Sequence, residues 1–174
     1  VTVEHPDAAP LTILGGFLRN GYLHRAIREQ GGAYGGGASQ DSRTASFRFY
    51  SYRDPRLEET LEDFDHAINW LLQTEHEEEQ LEQAILGVVS SIDKPGSPAG
   101  EAKQSFHNNL FGRTHKQRSA FRERILKVSL DDLKRVASTY LTPDSASIAV
   151  ITSQSNAEQL DDFVKTHGIE TQSV

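Results

Sequence analysis

Residues 28–54 read REQGGAYGGGASQDSRTASFRFYSYRD, and the placing of glycines and aromatics in this stretch decides the kind of fold the chain adopts. Gly31 and Gly32 end a preceding helix, because glycine enters the left-handed backbone region without a steric penalty. Tyr34 then opens an extended segment that runs to about Ala38. Gly35, Gly36 and Gly37 carry no side chains, so another backbone can approach there, and such a strand edge suits an extended peptide. Gln40-Asp41-Ser42-Arg43 reads as a polar turn. Ala45 to Tyr52 reads as a strand, with Phe47 and Phe49 on one face and Arg48, Tyr50 and Tyr52 on the other. Together the two extended stretches predict a hairpin.

Upstream, Leu11, Leu14, Leu18, Tyr22 and Ile27 recur at helical spacing, which predicts one helix from near Pro10 to Glu29. Downstream, Asp54 is the expected N-cap of a helix striped by Leu57, Leu61, Phe64, Ile68 and Leu71. A further helix is expected from Glu77 to Ser91 through Leu81, Ile85 and Val88. Others are expected near Glu101–Phe111 and Lys116–Lys127, and one is capped by Ser129 and ends near Tyr140. Ser147–Thr152 reads as an apolar strand, and Asn156 as the cap of a last helix that reaches His167. The total is three strands and about seven helices.

Composition narrows the function. The 174 residues fit a single domain, expected to span residues 1–174. A net charge of -7 argues against nucleic acid as partner, including the reading of Phe47, Phe49, Tyr50 and Tyr52 as a base-stacking platform. No apolar run approaches the roughly 20 residues that span a bilayer, so no membrane partner is expected. With no cysteine there is neither a disulfide nor a thiolate-bound metal. With no methionine either, the chain is expected to be a segment of a longer protein.

Three runs carry a resemblance: Gly21-Tyr22-Leu23-His24, Ile27 through Gly35 (IREQGGAYG), and Phe49-Tyr50-Ser51-Tyr52-Arg53-Asp54-Pro55. The chain resembles the C-terminal part of the presequence-protease branch of the pitrilysin/insulinase zinc metallopeptidases. The resemblance is sharp from about Leu11 to Phe64. It implies an α+β fold, a two-layer domain with helices packed on a mostly antiparallel sheet, whose leading strands would lie before Val1. It implies a parent enzyme that degrades unstructured peptides in a closed chamber. The partners would be peptide substrates and the N-terminal half of the same enzyme. Self-association is expected where a sheet edge is left uncovered. The compartment would be the cytoplasm in a bacterium, or else the mitochondrial matrix or a plastid.

The resemblance also supplies roles. The family's zinc is held by an inverted His-x-x-Glu-His helix motif, and none of the seven histidines stands four residues from another. Zinc is therefore expected in the N-terminal half of the parent, with no cofactor in this chain. Near His76, Gln80 stands where a second histidine would be needed, and the stretch reads as an acidic helix start. Arg28 and Tyr34 match an arginine and a tyrosine that reach the substrate carbonyl and oxyanion, where two hydrogen-bond donors stabilise developing charge. Gly35, Gly36 and Gly37 would bind substrate. The bland alternative makes Arg28 a helix C-terminal cation and Tyr34 a packing residue. Phosphate binding by the glycines is disfavoured, because the order here is helix, glycines, strand. Arg113, His115, Lys116, Arg118, Arg122 and Arg124 form a basic run, read as a solvated helix face or a partner-facing patch. A second functional class stays open, a catalytically inactive peptidase-like structural or peptide-binding domain.

Overall fold

The computed structural model describes residues 1–110, 114–142, 146–154, 157, 161–166, 168 and 170–172. It forms two units, residues 1–141 and 142–174.

The first unit is built around helix α1, Ala8–Leu18. Its sequence, AAPLTILGGFL, is apolar all round, and a helix of that kind is stable only inside. Nine of its eleven residues are buried. Gly15 lets the backbone of a strand press against it: a Cβ there would stand 3.0 Å from the Ala38 carbonyl oxygen and from the Ser39 Cα. The expected continuous helix to Glu29 changes its winding at Arg19. Residues Arg19–Gln30 form a π-helix. The apolar spacing through Leu23, Ala26 and Ile27 cannot separate the two windings, because it counts faces over few turns and not backbone bonds. The end is a widened glycine cap: Gly31 N–H donates to Ala26 O at 2.9 Å, Gly32 N–H to Arg28 O at 3.2 Å and Ala33 N–H to Ile27 O at 3.1 Å. Gly32 holds φ at 80°, the left-handed conformation expected of it.

Strands β1 (Gly35–Asp41) and β2 (Ser46–Tyr52) make the predicted hairpin. They pair antiparallel from Gly35↔Tyr52 to Asp41↔Ser46. Ala38, Phe47 and Phe49 join the core, with Phe49 stacked 5.2 Å from Phe64. Tyr50 and Tyr52 stay exposed, so the two faces of β2 divide as its alternation predicts.

Helix α2 runs from Glu58 to Gln73, starting three residues later than Asp54 as its cap would require. The Asp54 carboxylate instead accepts from the Arg56 N–H at 3.0 Å and the Thr60 hydroxyl at 2.7 Å. Its short side chain closes a local turn and so delays the helix. Helix α3 is Glu78–Asp93, opened by a reciprocal Glu77–Gln80 cap. Helix α4 (Pro98–Leu110) has no buried residue and exposes Phe106 and Leu110. Helices α5 (His115–Ile125) and α6 (Leu130–Tyr140) complete this unit. The core runs through Leu14, Leu23, Ile27, Leu71, Leu81, Ile125, Leu133 and Val136. The fold is α+β, helices packed on a small antiparallel sheet.

In the second unit, helix α7 spans Asp161–Thr166. The expected strand at Ser147–Thr152 is absent: these residues have no regular structure, and Ile151 is fully exposed. Apolar alternation makes a strand only where a neighbouring strand takes its N–H and C=O groups. Among the described residues the sheet has two strands, β1 and β2. Asn156 and His167 lie outside the described residues.

Candidate functional site around Arg28 and Tyr34

Arg28 stands in the last turn of the π-helix, exposed, where a cation complements the helix dipole. Its guanidinium contacts the His24 Nε2 at 3.4 Å, and the His24 Nδ1 lies 3.4 Å from a Glu29 carboxylate oxygen. Tyr34 follows the glycine cap. Its backbone N–H donates to Arg53 O at 3.2 Å, which fixes it at the open end of the hairpin. The Tyr34 side chain is 67% exposed. Among the described residues its phenol has no hydrogen-bond partner, so the O–H remains available to an external acceptor. The two side chains have separate partners, His24 for Arg28 and a ring cluster for Tyr34; what joins them is the short glycine cap between them.

That cluster contains residues that single-residue reading passed over. The Tyr52 ring meets Tyr34 edge-on, with centroids 5.9 Å apart and planes at 81°. The Arg53 guanidinium lies 5.7 Å from the Tyr34 centroid and 5.5 Å from that of Tyr52. Arg53 itself has φ at 48°, a conformation uncommon for a residue with a Cβ. The available signal was register: counting back from the turn pairs Gly35 with Tyr52 and so brings Arg53 beside Tyr34.

The three glycines differ in their surroundings. A Cβ on Gly36 would stand 2.9 Å from Ile27 Cγ2 and 3.1 Å from the Tyr50 carbonyl oxygen. One on Gly37 would stand 2.9 Å from the Arg19 stem. Both positions are thus filled by packing within the domain. Gly35 is different: among the described residues, its chain neighbours aside, no atom lies within 4 Å of where its Cβ would be.

A concavity of about 250 Å³ is lined by Gly21, Tyr22, Arg25, Ala26, Gln30 and Trp70, and neither Arg28 nor Tyr34 belongs to it. Beside it, burial pushes the Tyr22 phenol above its usual range, with Asp63 adding to the effect. His76 belongs to the same aromatic group: its ring lies 4.5 Å from Trp70, and its Nε2 is 3.0 Å from Leu71 O. Its role is packing. The basic run ties elements together: Arg122 bonds Asp93 at 2.7 Å, Arg118 reaches Ile92 O, and Arg124 holds the carbonyls of Val3 and His5. Arg113 lies outside the described residues. Among the described residues no three His, Asp or Glu side chains gather in a way that fits a metal.

The PreP C-terminal domain family matches residues 6–154. Similar curated proteins are mitochondrial presequence proteases. That of Yarrowia lipolytica is 41% identical over 152 residues, 87% of this chain and 15% of the relative. That of Saccharomyces cerevisiae is 39% identical over 142 residues, 81% of this chain and 14% of the relative. That of Mus musculus is 38% identical over 141 residues, 81% of this chain and 13% of the relative. The chain therefore spans only about a seventh of the length of the relatives it matches. The match over most of its own length is nonetheless sufficient to assign it: this chain belongs to the PreP C-terminal domain family.

Proposed function

We propose that this domain serves a peptidase without binding its zinc, contributing Arg28 and Tyr34 as hydrogen-bond donors to the substrate carbonyl and to the oxyanion that forms from it. The observation that carries the reading is the Tyr34 phenol, exposed at the open end of the hairpin with no hydrogen-bond partner for its hydroxyl among the described residues. A donor that is already positioned and already free costs no reorganisation when charge develops. Arg28 adds a permanent positive charge close by in the chain. The parent would act on unstructured peptides inside a closed chamber, with zinc in its N-terminal half. The relatives' names say mitochondrial, and within that organelle the matrix is the compartment proposed.

Gly35, Gly36 and Gly37 would lie along the path of the peptide. Among the described residues no backbone hydrogen bond reaches β1 from outside the hairpin, which supports addition of an extended chain to its edge. Gly35 is the position left open for such an approach. The N-terminal half of the parent is the proposed partner for the exposed Phe106 and Leu110 of α4. In isolation these side chains favour self-association.

The test is Tyr34→Phe in the full-length enzyme. The expected result is a fall in kcat of roughly ten- to a thousand-fold with KM little changed, since one oxyanion donor is worth up to about 4 kcal/mol. Turnover at the wild-type rate would return Tyr34 to a packing role.

A further inference from the structure

Arg53 is set apart from its neighbours by what it lacks. Arg48, on the strand that ends just before it, is neutralised by Asp41 at 3.2 Å, and Arg56, three residues on, by Asp63 at 3.0 Å. Arg53 has no carboxylate within 4.0 Å and no hydrogen-bond acceptor among the described residues. The adjacent Asp54 does not serve it, being occupied by the Arg56 N–H and the Thr60 hydroxyl. An arginine left merely to solvent needs no fixed pose. This one is held by the rings of Tyr34 and Tyr52 and by a left-handed backbone. Non-glycine residues kept in that region tend to sit at binding and catalytic positions.

The surface beside it is shaped for a chain. Gly35 faces Tyr52 across the hairpin, so this exposed tyrosine stands beside a position without a side chain; at Gly37, which faces Tyr50, the Arg19 stem fills that space. Tyrosine and arginine together are the residues that carry most binding energy at protein surfaces. A guanidinium that rests on aromatic rings keeps its N–H groups for an incoming acceptor, and their fork matches a carboxylate.

We propose that Arg53 is a specificity-determining residue which, clamped by Tyr34 and Tyr52, takes a carboxylate of the bound peptide. This rests on the reading that Tyr34 meets the substrate. The carboxylate is either an acidic side chain near the scissile bond or the C-terminus of the peptide, and one experiment separates the two.

In the full-length enzyme, kcat/KM is measured on matched unstructured peptides. One arm compares Glu with Gln at successive positions about the scissile bond; the other compares a C-terminal acid with its amide. The wild type is expected to favour the carboxylate by about ten-fold in one arm, the size of a charge-assisted hydrogen bond. Arg53→Gln brings that ratio within about two-fold of unity, because the charged partner is gone. Arg53→Lys keeps a few-fold preference, having the charge without the fork. The readout is a ratio within each variant, so a general loss of activity divides out, and melting curves confirm folding. A preference in the first arm assigns a side-chain subsite, and one in the second assigns the peptide terminus. Absence of preference in both arms, or a preference unchanged in Arg53→Gln, overturns the proposal. Unchanged discrimination together with slow turnover in Tyr34→Phe removes the subsite alone; wild-type turnover in Tyr34→Phe removes the oxyanion reading on which it rests.

Discussion

Trp70 occupies the space that a side chain at Gly21 would need: its Cη2 lies 2.3 Å from where a Cβ would stand. The indole is packed 5.6 Å from Phe17, 5.9 Å from Tyr22 and 4.5 Å from His76. It joins α2 to the π-helix that ends in Arg28. Gly21→Ala must displace a rigid ring from a filled position. The expected cost is about 1–3 kcal/mol. Trp70 is the sole tryptophan, so its emission reports the shift directly, beside a lowered urea midpoint. An unchanged spectrum and midpoint would mean that the ring moves freely.

Gly35 and Gly36 separate packing from substrate approach. Gly36→Ala should destabilise the chain by about 1–3 kcal/mol, because Ile27 and the Tyr50 carbonyl already fill the space. Gly35→Ala should leave stability within about 0.5 kcal/mol, since nothing stands there. In the parent enzyme Gly35→Ala should nevertheless lower kcat/KM, because a methyl group would meet the incoming peptide. Melting curves and steady-state kinetics on both variants check this. Full activity in Gly35→Ala would place the peptide elsewhere.

Arg28→Ala should reduce turnover at least as much as Tyr34→Phe, roughly ten- to a thousand-fold by the worth of an oxyanion contact. The fold should survive, because the side chain is exposed and its recorded contact is the His24 nitrogen at 3.4 Å. Circular dichroism and melting would be unchanged. A loss of stability that matches the loss of rate would identify a helix-end cation instead.

Asp7 predicts an acid limit to stability. A hydrogen bond from Arg135 holds its carboxyl below the usual carboxylate range, with the Tyr140 hydroxyl acting in the same sense and burial opposing both. The contacts are 2.8 Å and 2.7 Å. A folded-state value below the unfolded one means that the unfolded chain takes up its proton first. The contribution is therefore complete above about pH 4 and is lost as pH falls through the folded value. Asp7→Asn should cost about 1–3 kcal/mol at neutral pH and flatten the acid limb of a stability profile. Denaturant midpoints measured between neutrality and acid would show both effects. A steep limb retained in Asp7→Asn would assign it to other carboxylates; Asp41, Asp93 and Asp132 are also held low by arginine or serine hydrogen bonds.

What the order of residues determined by itself is local. Ser129 with Asp132 makes a capping box whose partners are three residues apart, and α6 begins and ends where that signal and Tyr140 place it. Gly32 must be free to take a positive φ, and the alternation of Phe47, Arg48, Phe49 and Tyr50 already divides the faces of β2. Arg28 and Tyr34 were legible through the resemblance of the runs around them, whereas their exposure and partners were not. Only the tertiary structure decided the rest. Asp54 turned out to bond the Thr60 hydroxyl and not the backbone N–H groups of the helix end, since a carboxylate goes to whichever donor the chain folds back to it. The segment 147–152 has strand character in sequence and no strand in the structure, because pairing requires a neighbour that a linear pattern cannot supply. The Tyr34–Tyr52–Arg53 cluster depends on cross-strand register and on one left-handed residue, both settled when the hairpin closes on the π-helix. Periodicity records which side of an element is apolar; which atoms meet is decided by packing in three dimensions.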